Sequence, residues 1–160
     1  MQDEAASLTV ANHPPLPNFT HSNLKGAPQS IYKFSYLEAL RHKWIASEKA
    51  GRDLGTAAIR EWLSRHWPHW CRARWLEHLR GEIYWMEFDE PSFGALKRGF
   101  RGDEIVLDRV LDRVYCGWEN LDIILWATDW QIDINQVIDI LILLDINRAR
   151  LDANLFFDNV

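Results

Sequence analysis

The chain of 160 residues has the length of one domain, with 48% hydrophobic residues and a formal net charge of −5. Its longest apolar run, residues 138–144, contains Asp139 and is far shorter than the roughly 20 residues of a membrane-spanning helix. Two cysteines, Cys71 and Cys116, are too few for a disulfide framework, and the acidic N-terminus does not resemble a secretory signal. We therefore expect a cytoplasmic protein of one domain, without a membrane segment.

The charge is unevenly distributed along the chain. Residues 33–80 carry ten Lys or Arg against five Asp or Glu, whereas residues 101–160 carry five against twelve. Such a split indicates either an electrostatic partner for one half or attraction between the two halves. We favour the second explanation, because it requires no partner.

Residues 1–30 hold four of the six prolines and show no sustained periodicity, which predicts a disordered N-terminal arm. A single helical domain is expected over residues 31–160. Its first helix is predicted to begin at Ser35, with Glu38 completing a capping box, and to end at Gly51. The predicted apolar stripe of this helix consists of Leu37, Leu40, Trp44 and Ile45.

A second helix is predicted from Thr56, with an inward face of Ile59, Trp62 and Leu63. Proline removes an amide donor and crowds the preceding turn, so we expect the helix to kink or restart at Pro68 and to reach about Arg80. Residues 31–80 would then form a basic, tryptophan-rich helix pair.

Residues 81–102 are predicted to connect this pair to the rest of the domain. Within them, residues 83–88 are aromatic and β-prone, and residues 105–107 are the one weak candidate for a partner strand. Whether residues 83–88 form a strand is left open.

Residues 103–160 are predicted to form an acidic helical half. From Asp103 onward, Leu107, Val110, Leu111 and Val114 recur at helical spacing. A short helix with Leu121, Ile124 and Leu125 inward should follow, and then another that is capped by Asp133 or Asn135. Residues 137–144 are apolar on nearly all sides, which places them in the centre of the fold or in an oligomer interface. The predicted fold class is mainly α, a compact bundle of about six helical segments with at most one short strand pair.

Six of the nine tryptophans lie between Trp44 and Trp85, and arginines lie among them. The tryptophans could fill a core with the arginines lying over them, or an exposed Arg/Trp face of residues 60–75 could stack on nucleic-acid bases. We favour packing, because a nucleic-acid-binding domain is usually basic and this chain is acidic overall. The candidate residues on this segment are Arg60, Arg65, Trp67, Trp70, Arg72, Arg74 and Trp75.

The turn between the first two helices supplies three further interaction candidates, Glu48, Arg52 and Asp53. Glu48 and Arg52 stand four residues apart, so an ion pair between them could clamp the turn. A purely structural corner is the favoured alternative.

A weak metal pattern is formed by His66, His69 and Cys71. Zinc needs ligands that converge tetrahedrally, and the expected break at Pro68 would separate the two histidines. Cys71 and His69 could form a thiolate pair, but residues so close in sequence do not face each other on a helix. We expect no metal, no cofactor and no enzymatic activity.

Residues 43–62 match the pattern Lys-Trp-Ile-x-Ser-Glu-Lys-Ala-Gly-Arg-Asp-Leu-Gly-x-x-Ala-Ile-x-x-Trp. This stretch resembles a family of small bacterial proteins with no assigned chemistry. A looser version is similar to part of a bacterial family related to lipopolysaccharide kinases, but the chain has no kinase motif, so kinase activity does not transfer. The resemblance implies a recurring structural module.

These observations predict a non-enzymatic cytoplasmic interaction or regulatory module that binds a protein partner or associates with itself. The alternative is a transcription-regulatory protein that binds nucleic acid through the Arg/Trp face of residues 60–75.

Overall fold

The structure is a computed structural model that describes residues 26–158. Its helices are Ile31–Ala50 (α1), Gly55–Leu79 (α2), Ala95–Gly99 (α3), Glu104–Tyr115 (α4), Asn120–Asp129 (α5) and Ile134–Leu144 (α6). Short 3-10 turns occur at Glu90–Ser92, Ile146–Ala149 and Ala153–Leu155. The described residues contain no β-strand, so the predicted mainly helical bundle is confirmed. No helix within residues 26–158 combines the length and the apolar character that a bilayer crossing requires.

The N-terminal arm predicted for residues 1–30 lies largely outside the described residues. Of its last residues, Gln29 forms an isolated parallel bridge with Trp85, and Ser30 accepts a hydrogen bond from the Lys33 amide as the N-cap of α1. The predicted start at Ser35 is therefore wrong. Ser35 lies buried inside the helix. Its hydroxyl donates a hydrogen bond to the carbonyl of Tyr32, so it does not cap the N-terminus of α1.

The buried face of α1 also differs from the prediction. It consists of Ile31, Tyr32, Ser35 and Ala39, whereas Trp44 and Ile45 of the predicted stripe are exposed. Because both faces of α1 carry apolar residues, spacing alone did not identify the face that packs against α2.

Helix α2 runs without interruption through Pro68, so the predicted restart is wrong. A proline inside a helix costs about 3 kcal/mol. The burial of large side chains on both sides of it, such as Trp62 and Trp75, offsets this cost. The last part of α2 is enclosed on nearly all sides by α1, α3, α4 and the turn Ile146–Ala149, and it forms the centre of the bundle.

Residues 83–88 do not form a strand, and the weak candidate for a partner, residues 105–107, belongs to α4. The segment is held by two backbone hydrogen bonds of 2.8 Å to Gln29 and by burial of Ile83, Trp85 and Phe88. Its aromatic, β-branched composition thus reflects burial in an irregular segment.

Helices α4 and α6 follow the prediction closely. Asp103 caps α4 by accepting from the Ile105 amide, and Asp133 caps α6 by accepting from the Asn135 amide. The predicted apolar stripe of α4 is buried as a whole. Helix α6 packs against α3, α4 and α5 and buries Val137, Ile140, Leu141 and Leu144.

The buried side of helix α5 is not the side that the sequence predicts. It buries Ile123, Trp126 and Ala127, whereas Leu121 and Leu125 are 65% and 55% exposed. The Arg113 guanidinium lies 3.5 Å from the centroid of the Trp126 ring, which places a cation over this tryptophan inside the bundle.

Candidate interaction surface

Two tryptophans of the Arg/Trp segment belong to the core. Trp67 and Trp75 are 4% and 1% exposed. Their indole N–H groups donate to the carbonyls of Leu151 and Leu144 over 2.9 and 2.8 Å. Because both rings are enclosed, they have no free face on which a base could stack. Their burial fits the packing interpretation of the segment.

Trp70 is half-buried beneath a cation. The Arg74 guanidinium lies 4.3 Å from the ring centroid, and the Trp62 ring meets Trp70 edge-on at 5.6 Å. Arg74 is itself held by Glu77, with Nε 2.9 Å from Oε2. The Arg74 guanidinium and the Trp62 ring cover Trp70. This cluster therefore stabilises α2 and leaves little of the Trp70 ring for a ligand to stack on.

The arginines of the segment divide by burial. Arg72 is 8% exposed and donates to the carbonyls of Val114 and Trp118 and to Glu119. It thereby adds a donor to the Val114 carbonyl in the last turn of α4 and binds the Trp118 carbonyl just beyond that helix. Arg60 and Arg65 are exposed, and Arg65 pairs with Glu61 at 3.0 Å.

The corner between α1 and α2 is built by side chains other than the expected pair. Ser47 Oγ accepts from the Leu54 amide at 3.1 Å, and Asp53 Oδ1 accepts from the Gly55 amide at 2.8 Å. Within residues 26–158 no ion pair joins Glu48 to Arg52, so the clamp that their spacing allows is not formed.

His66, His69 and Cys71 point in different directions. The two histidines are exposed, whereas Cys71 is buried. The described part of the chain contains no group of three or more His, Cys, Asp or Glu that could hold a metal ion. Burial raises the pKa of the Cys71 thiol to about 12, so it stays protonated at neutral pH and does not supply a thiolate.

A hollow of about 260 Å³ lies beside Cys71. Its charged lining consists of Arg72, Arg150 and Glu119, and both arginines bind the Glu119 carboxylate, at 2.7 and 3.1 Å. Because the Arg72 and Arg150 guanidinium groups already donate to the Glu119 carboxylate, an anionic ligand in this hollow would have to compete with Glu119 for them.

Several of the large exposed apolar side chains lie elsewhere, on α5, its C-cap and α6, two consecutive helices that pack against each other. We call them the α5–α6 face: Leu121, Leu125, Trp130, Ile138 and Ile142, which are 65%, 55%, 72%, 37% and 70% exposed. Exposed apolar residues that concentrate on neighbouring elements are typical of a surface that binds a partner.

The same helices are acidic. Residues 119–147 contain six Asp or Glu and no Lys, Arg or His. Asp129 and Asp139 are exposed, and neither forms an ion pair within the described residues. The apolar run 137–144 pointed to an interface on α6, but the α5 part of the face was missed, because Leu121 and Leu125 were assigned inward.

Comparison with known proteins finds no family model, no curated protein and no solved structure that matches the chain. The resemblance of residues 43–62 to a bacterial family therefore stays a prediction.

Proposed function

We propose that this chain is a non-enzymatic interaction module of the cytoplasm, with the α5–α6 face as its binding surface. The observation that carries the proposal is the exposure of five large apolar side chains there, with Trp130 at 72% and Ile142 at 70%. Burying such a side chain fully against a partner contributes about 1.5–3 kcal/mol. This face therefore offers a favourable free energy of burial to a partner.

The sides of α5 and α6 that face away from this surface are packed in the core. Ile123 and Ala127 of α5 and Val137 and Leu144 of α6 are completely buried. A surface that is already ordered loses little conformational entropy when a partner binds, so more of the contact energy appears as affinity.

The chemistry of the chain fits this role in a reducing compartment. Cys71 and Cys116 are both free thiols, as expected where glutathione and thioredoxin keep cysteines reduced. Such a module acts by occupying a partner's surface, and regulation by such occupancy is the broader function that we propose.

A photoreactive phenylalanine analogue at position 142 tests the proposal in cells. We expect it to form ultraviolet-induced cross-links to a protein partner, either another copy or a different chain, because Ile142 lies on the α5–α6 face. Met86 is the matched control position, since it is 59% exposed and lies outside that face. Absence of cross-links from position 142, or equal cross-linking from position 86, would contradict the proposal.

A further inference from the structure

A second exposed surface combines apolar and charged side chains. Arg41, Trp44, Ile45, Glu48 and Lys49 are all exposed and recur on one side of α1; we call them the α1 stripe. Their spacing of i, i+3, i+4, i+7 and i+8 is that of an amphipathic binding face, turned here away from the core.

The α1 stripe has the opposite charge to the α5–α6 face. Its cations Arg41 and Lys49 outnumber the single carboxylate of Glu48, and Arg52 follows directly after the helix. Within residues 26–158, Arg41, Lys49 and Arg52 form no ion pair. The stripe therefore offers cations as well as the apolar surface of Trp44 and Ile45, which are 48% and 38% exposed.

Each surface supplies what the other lacks. Asp129 and Asp139 lie exposed on α5 and α6, where no basic residue is near in sequence. Two α5–α6 faces brought together would oppose like charges, which disfavours a symmetric contact between them. Because the stripe and the face are both exposed in one copy, residues 26–158 do not cover the face themselves.

From this complementarity we infer that the α1 stripe of one copy docks on the α5–α6 face of a second copy. The inference rests on the proposed function, because it names the partner of that same face. A contact between two different surfaces leaves one stripe and one face free in every pair, so copies add head to tail into a ring or an open chain. Since the contact is partly ionic, added salt weakens it.

Sedimentation velocity of two charge-reversed variants tests the inference. One carries Arg41→Glu with Lys49→Glu on the stripe, and the other carries Asp129→Lys with Asp139→Lys on the face. We expect the mass of the wild-type assembly to rise with concentration and each variant alone to associate at least about tenfold more weakly. An equimolar mixture should regain association, because the intact stripe of one variant meets the intact face of the other and the two reversed surfaces again carry opposite charges.

The control is Lys97→Glu with Arg109→Glu, which changes the net charge as the stripe variant does, at exposed residues outside both surfaces, and should associate as the wild type does. If charge reversal disturbs folding, Trp44→Ala replaces the stripe variant and Ile142→Ala replaces the face variant. Each is measured alone and in an equimolar mixture of the two, which tests the apolar contacts of the two surfaces. Wild-type association by the stripe variant alone, or a mixture that stays monomeric, overturns the inference. A monomeric wild type that cross-links from position 142 to a different protein also overturns it and leaves the proposed function intact.

Discussion

Two arginines that bind the same carboxylate show how burial decides the value of an ion pair. Arg72 is 8% exposed and donates to Glu119 and to two backbone carbonyls, whereas the Arg150 side chain is 66% exposed and donates to Glu119. Loss of Arg72 removes a buried donor from Val114, Trp118 and Glu119 together, but loss of Arg150 breaks a solvated contact.

We therefore expect Arg72→Met to lower the free energy of unfolding by about 2–4 kcal/mol and Arg150→Met by less than about 1 kcal/mol. Urea denaturation with unchanged m-values measures both losses. Equal losses in the two variants would contradict this account.

A buried histidine makes stability depend on pH. His78 Nδ1 accepts from the Trp85 amide at 3.1 Å, so the ring proton lies on Nε2, which donates to the Asp89 carbonyl at 3.0 Å. Burial lowers the pKa of His78 below its ordinary value, although Asp89 opposes the shift. The unfolded chain then binds the proton at higher pH than the folded one does.

We expect stability to be full above about pH 6.5, the ordinary histidine pKa, and to fall as the pH drops from there toward the lowered folded-state pKa. Thermal melts between about pH 8 and pH 5 measure this loss, and His78→Gln should reduce it. The exposed His69 provides the control, since His69→Gln should melt with the wild-type dependence. An unchanged slope in His78→Gln would show that another group is responsible.

At the scale of the helices, the corner between α1 and α2 depends on backbone conformation. Gly51 ends α1 with φ of 66°, and an added Cβ would meet no atom within 4 Å. The cost of Gly51→Ala is therefore that of the left-handed conformation alone, about 1 kcal/mol.

Chemical denaturation of Gly51→Ala and Glu48→Gln tests this account of the corner. Glu48→Gln should change stability by less than about 0.5 kcal/mol, because Glu48 has no ion pair with Arg52. A loss in Glu48→Gln as large as that in Gly51→Ala would instead favour the clamp.

The helices also show where sequence patterns suffice. Helix α4 has one apolar face and a local cap at Asp103, so spacing predicted both its start and its buried side. Helix α5 has apolar residues on opposite sides, and only contacts from distant segments decide that Trp126 packs inward and Leu125 does not. For the same reason, spacing does not predict the α5 part of the candidate surface.

The backbone cost of a proline predicts a restart of α2 at Pro68. The helix continues because the burial of side chains around Pro68 outweighs that cost.

At the scale of the whole molecule, the tryptophan-rich centre and the charge asymmetry have separate explanations. Trp67, Trp75 and Trp85 fill the core around α2. The pair of Arg72 and Glu119 joins the basic and acidic halves, as attraction between the halves requires. The exposed carboxylates of α5 and α6 are not used in this way, which is why we assign them to binding.

If a partner covers the α5–α6 face, hydroxyl-radical footprinting of the associated protein detects that cover at individual side chains. Trp130 and Met86 are 72% and 59% exposed, so both should be oxidised in the isolated chain. Our account predicts that association protects Trp130 and leaves the oxidation of Met86 unchanged. Undiminished oxidation of Trp130 in the associated state, or protection at Met86 alone, would contradict it.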